Sequence, residues 1–147
     1  MDALELLKND HRKVKELFKK AEKAEGNLQK QIFGQIKSEL ETHTHIEETV
    51  FYPAVEKIEE LKDMVLESRE EHKQVKTLLR EMESLASDSE KFEPKLKVLQ
   101  ENVGHHAEEE EEGKMFPKLE RLMDAATRQK LGQELEAAKR KDMKKAG

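Results

Sequence analysis

His11, His43, His72 and His106 fall where an apolar stripe would place a leucine, each on a separate stretch of helical periodicity. An imidazole or carboxylate on a core seam is costly unless something binds it. Two of the four carry a glutamate one helical turn further on: Glu47 after His43, and Glu110 after His106. Residues four apart share a helix face, so each His–Glu pair can hold one ion or bridge two. A single core histidine is more often a packing residue than a ligand. Four of them on four stripes, two with glutamate partners, form a metal-site constellation. Four imidazoles and at least two carboxylates suit a dinuclear site for iron, manganese or zinc, and do not favour calcium or magnesium. A mixed His/Glu set with an open position suits a redox iron pair best.

The second glutamate has two candidates within the run Glu108–Glu112. The upstream stripe puts Glu110 first. Counting back from Pro117, by analogy with Glu47 and Pro53, selects Glu111. A π-bulge between His106 and Glu111 would reconcile the two registers, and such bulges favour functional sites. His45 and His105 are read as surface residues: the first lies on the opposite side of its helix from His43, the second about a hundred degrees from His106. Tyr52 and Phe116, each just before a proline, are read as packing residues capping the site, with the Tyr52 hydroxyl as a hydrogen-bond donor near it.

The elements that must position these residues are helices. Gly and Pro are scarce, charged residues make up 41% and hydrophobic ones 35%, and Glu, Lys, Leu and Ala favour helix. Helix 1 is predicted over 2–24 with Asp2 as N-cap and Gly26-Asn27 as its breaker, and helix 2 over 28–52, kinked or ended by Pro53. A short continuation is expected over 54–60. Helix 3 is predicted over 61–86, then a turn and capping cluster at Ser87-Asp88-Ser89, then helix 4 over 90–116, interrupted at Pro117. A further helix carries Leu119, Leu122, Leu131 and Leu135 on its apolar side. Stripes spaced three and four with short loops predict an all-α, up-down-up-down antiparallel four-helix bundle over 1–125, with 126–147 as a C-terminal helical extension of the same domain. The segments HTHIEETVFYP and HHAEEEEEGKMFP echo one another. Two hairpins, each pairing a histidine-only helix with a histidine–glutamate helix, predict a pseudo-twofold site.

Composition excludes several classes. No cysteine is present, so thiolate catalysis, disulfides and zinc–thiolate sites are out. A net charge of −5 and the lack of an aromatic-interleaved basic patch argue against nucleic acid, and the basic stretch Lys139–Lys145 reads as a solvated helix end. No apolar run could span a membrane. Charges at Asp2, Glu5 and Lys8 do not fit a secretory signal, and cytoplasm is the expected location. No catalytic triad spacing or phosphate-cradling glycine loop occurs.

At LLKNDHRKV, ETHTHIEETVFYP, SREEHKQV and GHHAEEEEEGKMFP the chain resembles the hemerythrin-like, or HHE cation-binding, family over residues 1–125. The resemblance implies a non-haem di-iron centre, two irons with an oxo or hydroxo bridge, held by His11, His43, Glu47, His72, His106 and Glu110 or Glu111. The family's oxygen carriers place the last carboxylate five residues after the histidine, which favours Glu111. They also carry a histidine one turn before His72, where this chain has Ser68. That departure leaves an open position, or lets Glu71 or a water complete the shell. The implied function is binding or sensing of O2 or a related small ligand. The alternatives are a di-iron enzyme acting on peroxide or nitric oxide, and a zinc-filled or metal-poor bundle acting through protein contacts.

Overall fold

The computed structural model describes residues 1–86 and 88–146, and among these every regular element is helical. Helix α1 spans Ala3–Lys23, and the Asp2 carboxylate caps it by accepting the Glu5 amide at 2.9 Å. The chain turns at Ala24–Glu25, slightly before the predicted breaker, and Gly26 begins α2 (Gly26–Ile46) at φ +58°, a left-handed backbone that glycine adopts without strain. Helix α2 gives way to a π segment, Glu47–Phe51, then to α3 (Tyr52–Val55). The expected helical continuation therefore stops at Val55, and a 3-10 turn at Glu59–Leu61 leads into α4 (Lys62–Glu83).

Of the Ser87-Asp88-Ser89 cluster, Ser87 lies outside the described residues; the Ser89 hydroxyl accepts the Lys91 amide at 3.2 Å just before α5 (Phe92–Gly104). The second long departure from α geometry follows, a π segment over His105–Met115, then α6 (Phe116–Leu122) and α7 (Ala125–Ala146). Both predicted interruptions at proline thus arrive early and as widened turns. Proline lacks the amide an α-helix would use. Before each one the backbone makes a bond five residues long: Tyr52 N–H to Glu47 O, and Phe116 N–H to Glu111 O.

Helix α1 packs on α2 and α7, α4 packs on α5 and on the second π segment, and α7 also meets α2. The predicted stripes face inward. Two apolar clusters result. One gathers Leu4, Leu7, Ile46, Phe51, Val55, Leu61, Val65, Met115, Phe116, Leu119, Leu131 and Leu135. The other gathers Val14, Phe18, Phe33, Ile36, Leu40, Val75, Leu79, Met82, Phe92, Leu96 and Leu99. Each such side chain contributes about 1.5–3 kcal/mol when fully buried. The histidine-bearing helices supply apolar residues on either side of the histidine, Leu7 and Val14 around His11 for example, or Leu40 and Ile46 around His43. The polar layer is held between two apolar ones.

Candidate metal centre

The inner residues come first. His43 and Glu47, four apart, meet at 3.2 Å between Nε2 and Oε1, and His72 Nε2 reaches the same Glu47 oxygen at 3.1 Å. On the other side His11 Nε2 lies 3.1 Å from Glu111 Oε1, and His106 Nε2 lies 3.4 Å from Glu111 Oε2. His72 and His106 bring their Nε2 atoms to 3.1 Å of each other. Glu47 and Glu111 are wholly buried. Of the two candidate glutamates, Glu111 faces the cluster, and Glu110 turns outward to Lys114 at 3.3 Å and His105 at 3.5 Å. The π segment is the reason, because it adds one residue between the histidine and the carboxylate that faces the same point.

His45 and His105 lie outside the centre. His45 pairs with Asp142 at 2.7 Å, and His105 with Glu109 at 2.7 Å, both half-exposed. Tyr52 is more central than a capping residue. Its hydroxyl donates to Glu111 Oε2 at 2.7 Å and stands 3.3 Å from Glu47, His72 and His106. It is wholly buried, and Ser68 lies beside it. Burial, then the charges of Glu111 and Glu47, hold the phenol well above its ordinary range. Phe116, its counterpart before the other proline, stacks on His11 with the rings nearly parallel.

Outside this inner set runs a ring of carboxylates that sequence reasoning missed. Every Nδ1 points outward and donates to one of them: His43 to Asp10 at 3.1 Å, His72 to Glu48 at 2.8 Å, His106 to Glu71 at 2.7 Å, and His11 to Glu112 at 2.6 Å. Glu71, expected as a possible inner ligand, belongs to this outer ring. Each outer carboxylate is the chain neighbour of an inner residue, yet it serves the histidine of another helix. The signal was present in the pairs Asp10-His11, Glu47-Glu48, Glu71-His72 and Glu111-Glu112. A neighbour lies about 100° around the helix, so it faces the adjacent helix when its partner faces the centre. The two halves of the site correspond residue for residue and depart from symmetry where Tyr52 matches Phe116.

An outward Nδ1–H bond to a carboxylate fixes the ring so that the Nε2 lone pair points inward, as metal-binding imidazoles require. Four buried inner atoms, His11 Nε2, His43 Nε2, Glu47 Oε2 and Glu111 Oε1, have no hydrogen bond among the described residues. They are close to one another without being aligned on one another, as atoms directed at a common third point would be. The ligand atoms form two groups, His11, His43, Glu47 and Glu111, and Glu47, His72 and His106, within each of which all lie within 4.8 Å of one another. Glu47 belongs to both. The donor set therefore fits two cations of the borderline type that take imidazole and carboxylate together.

Electrostatics agree. Burial opposes a charge on His43, but the Glu47 and Asp10 carboxylates outweigh it and push the imidazole up to about 10. His106 is likewise raised, against burial, chiefly by Glu111. Without a metal this centre attracts protons, and a bound cation would take their place.

A small apolar cavity of about 20 Å³ adjoins the four histidines, lined also by Val14, Leu40, Val75, Val103 and Ala107. No helix among the described residues is long and apolar enough to cross a membrane.

Comparison with known proteins gives a consistent set of relatives. The family described as the hemerythrin HHE cation binding domain matches residues 2–119. A solved structure of a hemerythrin HHE cation binding domain-containing protein from Mycobacterium kansasii superposes with a TM-score of 0.87 at 25% identity, covering 99% of this chain and 90% of that one. An uncharacterized hemerythrin-like protein of Schizosaccharomyces pombe is 40% identical over 76 residues, 50% of this chain and 37% of its own length. A Nostoc protein named DNA nickase is 26% identical over 148 residues, 100% of this chain and 42% of its own length. The chain thus spans less than half the length of either curated relative.

Proposed function

This chain belongs to the hemerythrin HHE cation-binding family, and from that premise we propose that it is a non-haem di-iron protein that binds or senses O2 or a related small ligand. His11, His43, Glu111 and Glu47 would hold one iron, and His72, His106 and Glu47 the other, with zinc or manganese as chemically possible substitutes. The observation that carries the reading is the sharing of Glu47 by two groups of buried ligand atoms. When bound, such an iron pair supplies redox chemistry and open positions for a diatomic ligand.

The residues of the chain set the conditions. Asp10, Glu48, Glu71 and Glu112 orient the four imidazoles. Apolar clusters pack on either side of them. The cavity beside the histidines suits a ligand the size of O2 or nitric oxide. The arrangement proposed to support this is an up-down-up-down four-helix bundle over 1–125, with the remainder of the chain as a C-terminal extension of the same domain, acting in the cytoplasm.

Anaerobic loading with ferrous iron followed by air is the test. About two irons per chain, with a charge-transfer band appearing on oxidation, is the expected result; a protein that retains no iron would refute it.

A second reading, turnover of peroxide or nitric oxide, is favoured by Ser68. It is buried beside the Tyr52 hydroxyl where the oxygen carriers have a further imidazole. Turnover by the iron-loaded protein no faster than that of free iron would remove this reading. DNA stands outside the proposal despite the name of the Nostoc relative, given the net charge of −5. Supercoiled plasmid incubated with the metal-loaded protein should remain supercoiled.

A further inference from the structure

Helix α7 reaches the centre through one lysine. Lys139 Nζ donates to Asp10 Oδ1, while Asp10 Oδ2 accepts the His43 Nδ1–H at 3.1 Å. Asp10 is only 4% exposed, so each of its oxygens is committed to one donor. The corresponding carboxylate in the other half of the site, Glu71, meets no lysine among the described residues; its second oxygen lies 3.6 Å from His105. The link is therefore not a consequence of the internal symmetry.

The rest of α7 fixes this contact in place. Leu131 and Leu135 are buried in the cluster that contains Leu4 and Leu7. Gly132 lies so close to the start of α1 that a Cβ there would overlap the Met1 carbonyl. Asp142, one turn beyond Lys139, holds His45 of α2 at 2.7 Å. The family match ends at residue 119, before α7 begins at Ala125.

We infer that Lys139 is a positioning residue for the metal centre, acting through Asp10 to set the orientation of His43, so that the seating of α7 and the binding of metal at His43 are linked. This rests on the proposed metal centre for its consequence, but the positioning itself exists with or without metal. The physical basis is that a carboxylate held by two donors keeps one orientation. Released by Lys139, Asp10 could rotate, and His43 would lose its fixed ring plane. Outer partners of this kind change metal affinity by about 10- to 100-fold. Coupling between sites is reciprocal, so metal binding should in turn tighten α7.

The test compares Lys139→Met, Lys139→Arg and Lys141→Met in the full chain. Lys141 is exposed, so its variant controls for the loss of a surface charge. Two quantities are measured: the nitrogen-15 NMR signal of the His43 Nδ1–H in the metal-free protein, and the affinity for cobalt(II) in competition with a chelator. The expected result is that Lys139→Met displaces or broadens the His43 signal and weakens cobalt binding by about tenfold or more, while Lys139→Arg restores both and Lys141→Met alters neither. If the His43 signal responds but the wild-type chain binds no cobalt, the positioning stands and the metal reading falls. If wild type binds cobalt and Lys139→Met changes neither quantity, the inference is overturned and the metal reading survives.

Discussion

His106 and Glu111 face one point, 3.4 Å apart, across an interval of five residues. In an α-helix that interval would separate them by about 140°. The π segment over His105–Met115 removes the separation. It gives this half of the site the same inward pair that His43 and Glu47 form at the end of α2. Glu111→Ala should therefore abolish most metal retention, and Glu110→Ala should leave it near wild type. Metal content after gel filtration decides, and equal losses would contradict the register.

The two histidines of the first motif separate in the same way. His43 is buried with its Nε2 inward, whereas His45 lies half-exposed against Asp142. His43→Ala is expected to weaken metal binding by at least about tenfold, the scale on which even outer partners act. His45→Ala should not. The opposite ranking, read by chelator competition, would mean that the outward ring is the functional one.

Metal removal should destabilise the fold, because the ligands converge only when folded. At a free metal concentration a hundredfold above Kd, binding contributes about 2.7 kcal/mol. Calorimetry of loaded and stripped protein should show a clear fall in Tm on stripping. An unchanged Tm would favour a bundle that acts without metal.

The pH dependence should differ between the two forms. In the stripped protein the His43 imidazole is raised from 6.5 to about 10 by Glu47 and Asp10, against burial. A raised histidine stabilises fully below its unfolded value and loses that contribution as pH climbs through the folded one. The stripped protein should lose stability between about pH 6.5 and 10. Protons and metal compete for the same nitrogen, so the loaded form should instead release metal as pH falls. At the acid end Glu48, lowered to about 2 chiefly by His72, adds stability that disappears as pH drops from 4.5 through that value. Urea midpoints across pH check the sign. A stripped midpoint that rises from pH 7 to 10 would contradict it.

Ala107 lines the cavity beside the histidines and is itself buried. Ala107→Leu should fill that space without replacing any of the proposed ligand residues. A leucine there would occupy the ligand's space, and a penalty of about 1.4 kcal/mol on the bound state would weaken binding of nitric oxide to the iron-loaded protein by about tenfold. Iron content should be unaffected. Unaltered nitric oxide affinity would place the ligand elsewhere.

Much of this protein is determined locally, and that part is legible in the chain. Helical periodicity places Leu4, Leu7, His11 and Val14 on one face, and the same rule selects His43 with Glu47, His72 and His106. Such residues share a face because of backbone geometry alone. Where the backbone departs from α geometry, the rule fails: it favours Glu110, and the widened turn before Pro117 presents Glu111 instead. The outer ring was hidden for a different reason. Asp10 serves His43, Glu48 serves His72, Glu71 serves His106 and Glu112 serves His11, each across a gap between helices. No periodicity reports which neighbour a charged side chain will meet. Lys139 on Asp10 is the extreme case, far along the chain and within an ordinary basic helix end. Spacing along the chain thus determined which side chains turn inward. Only packing in three dimensions decided which carboxylates hold them there, because those bonds depend on the distance between helices.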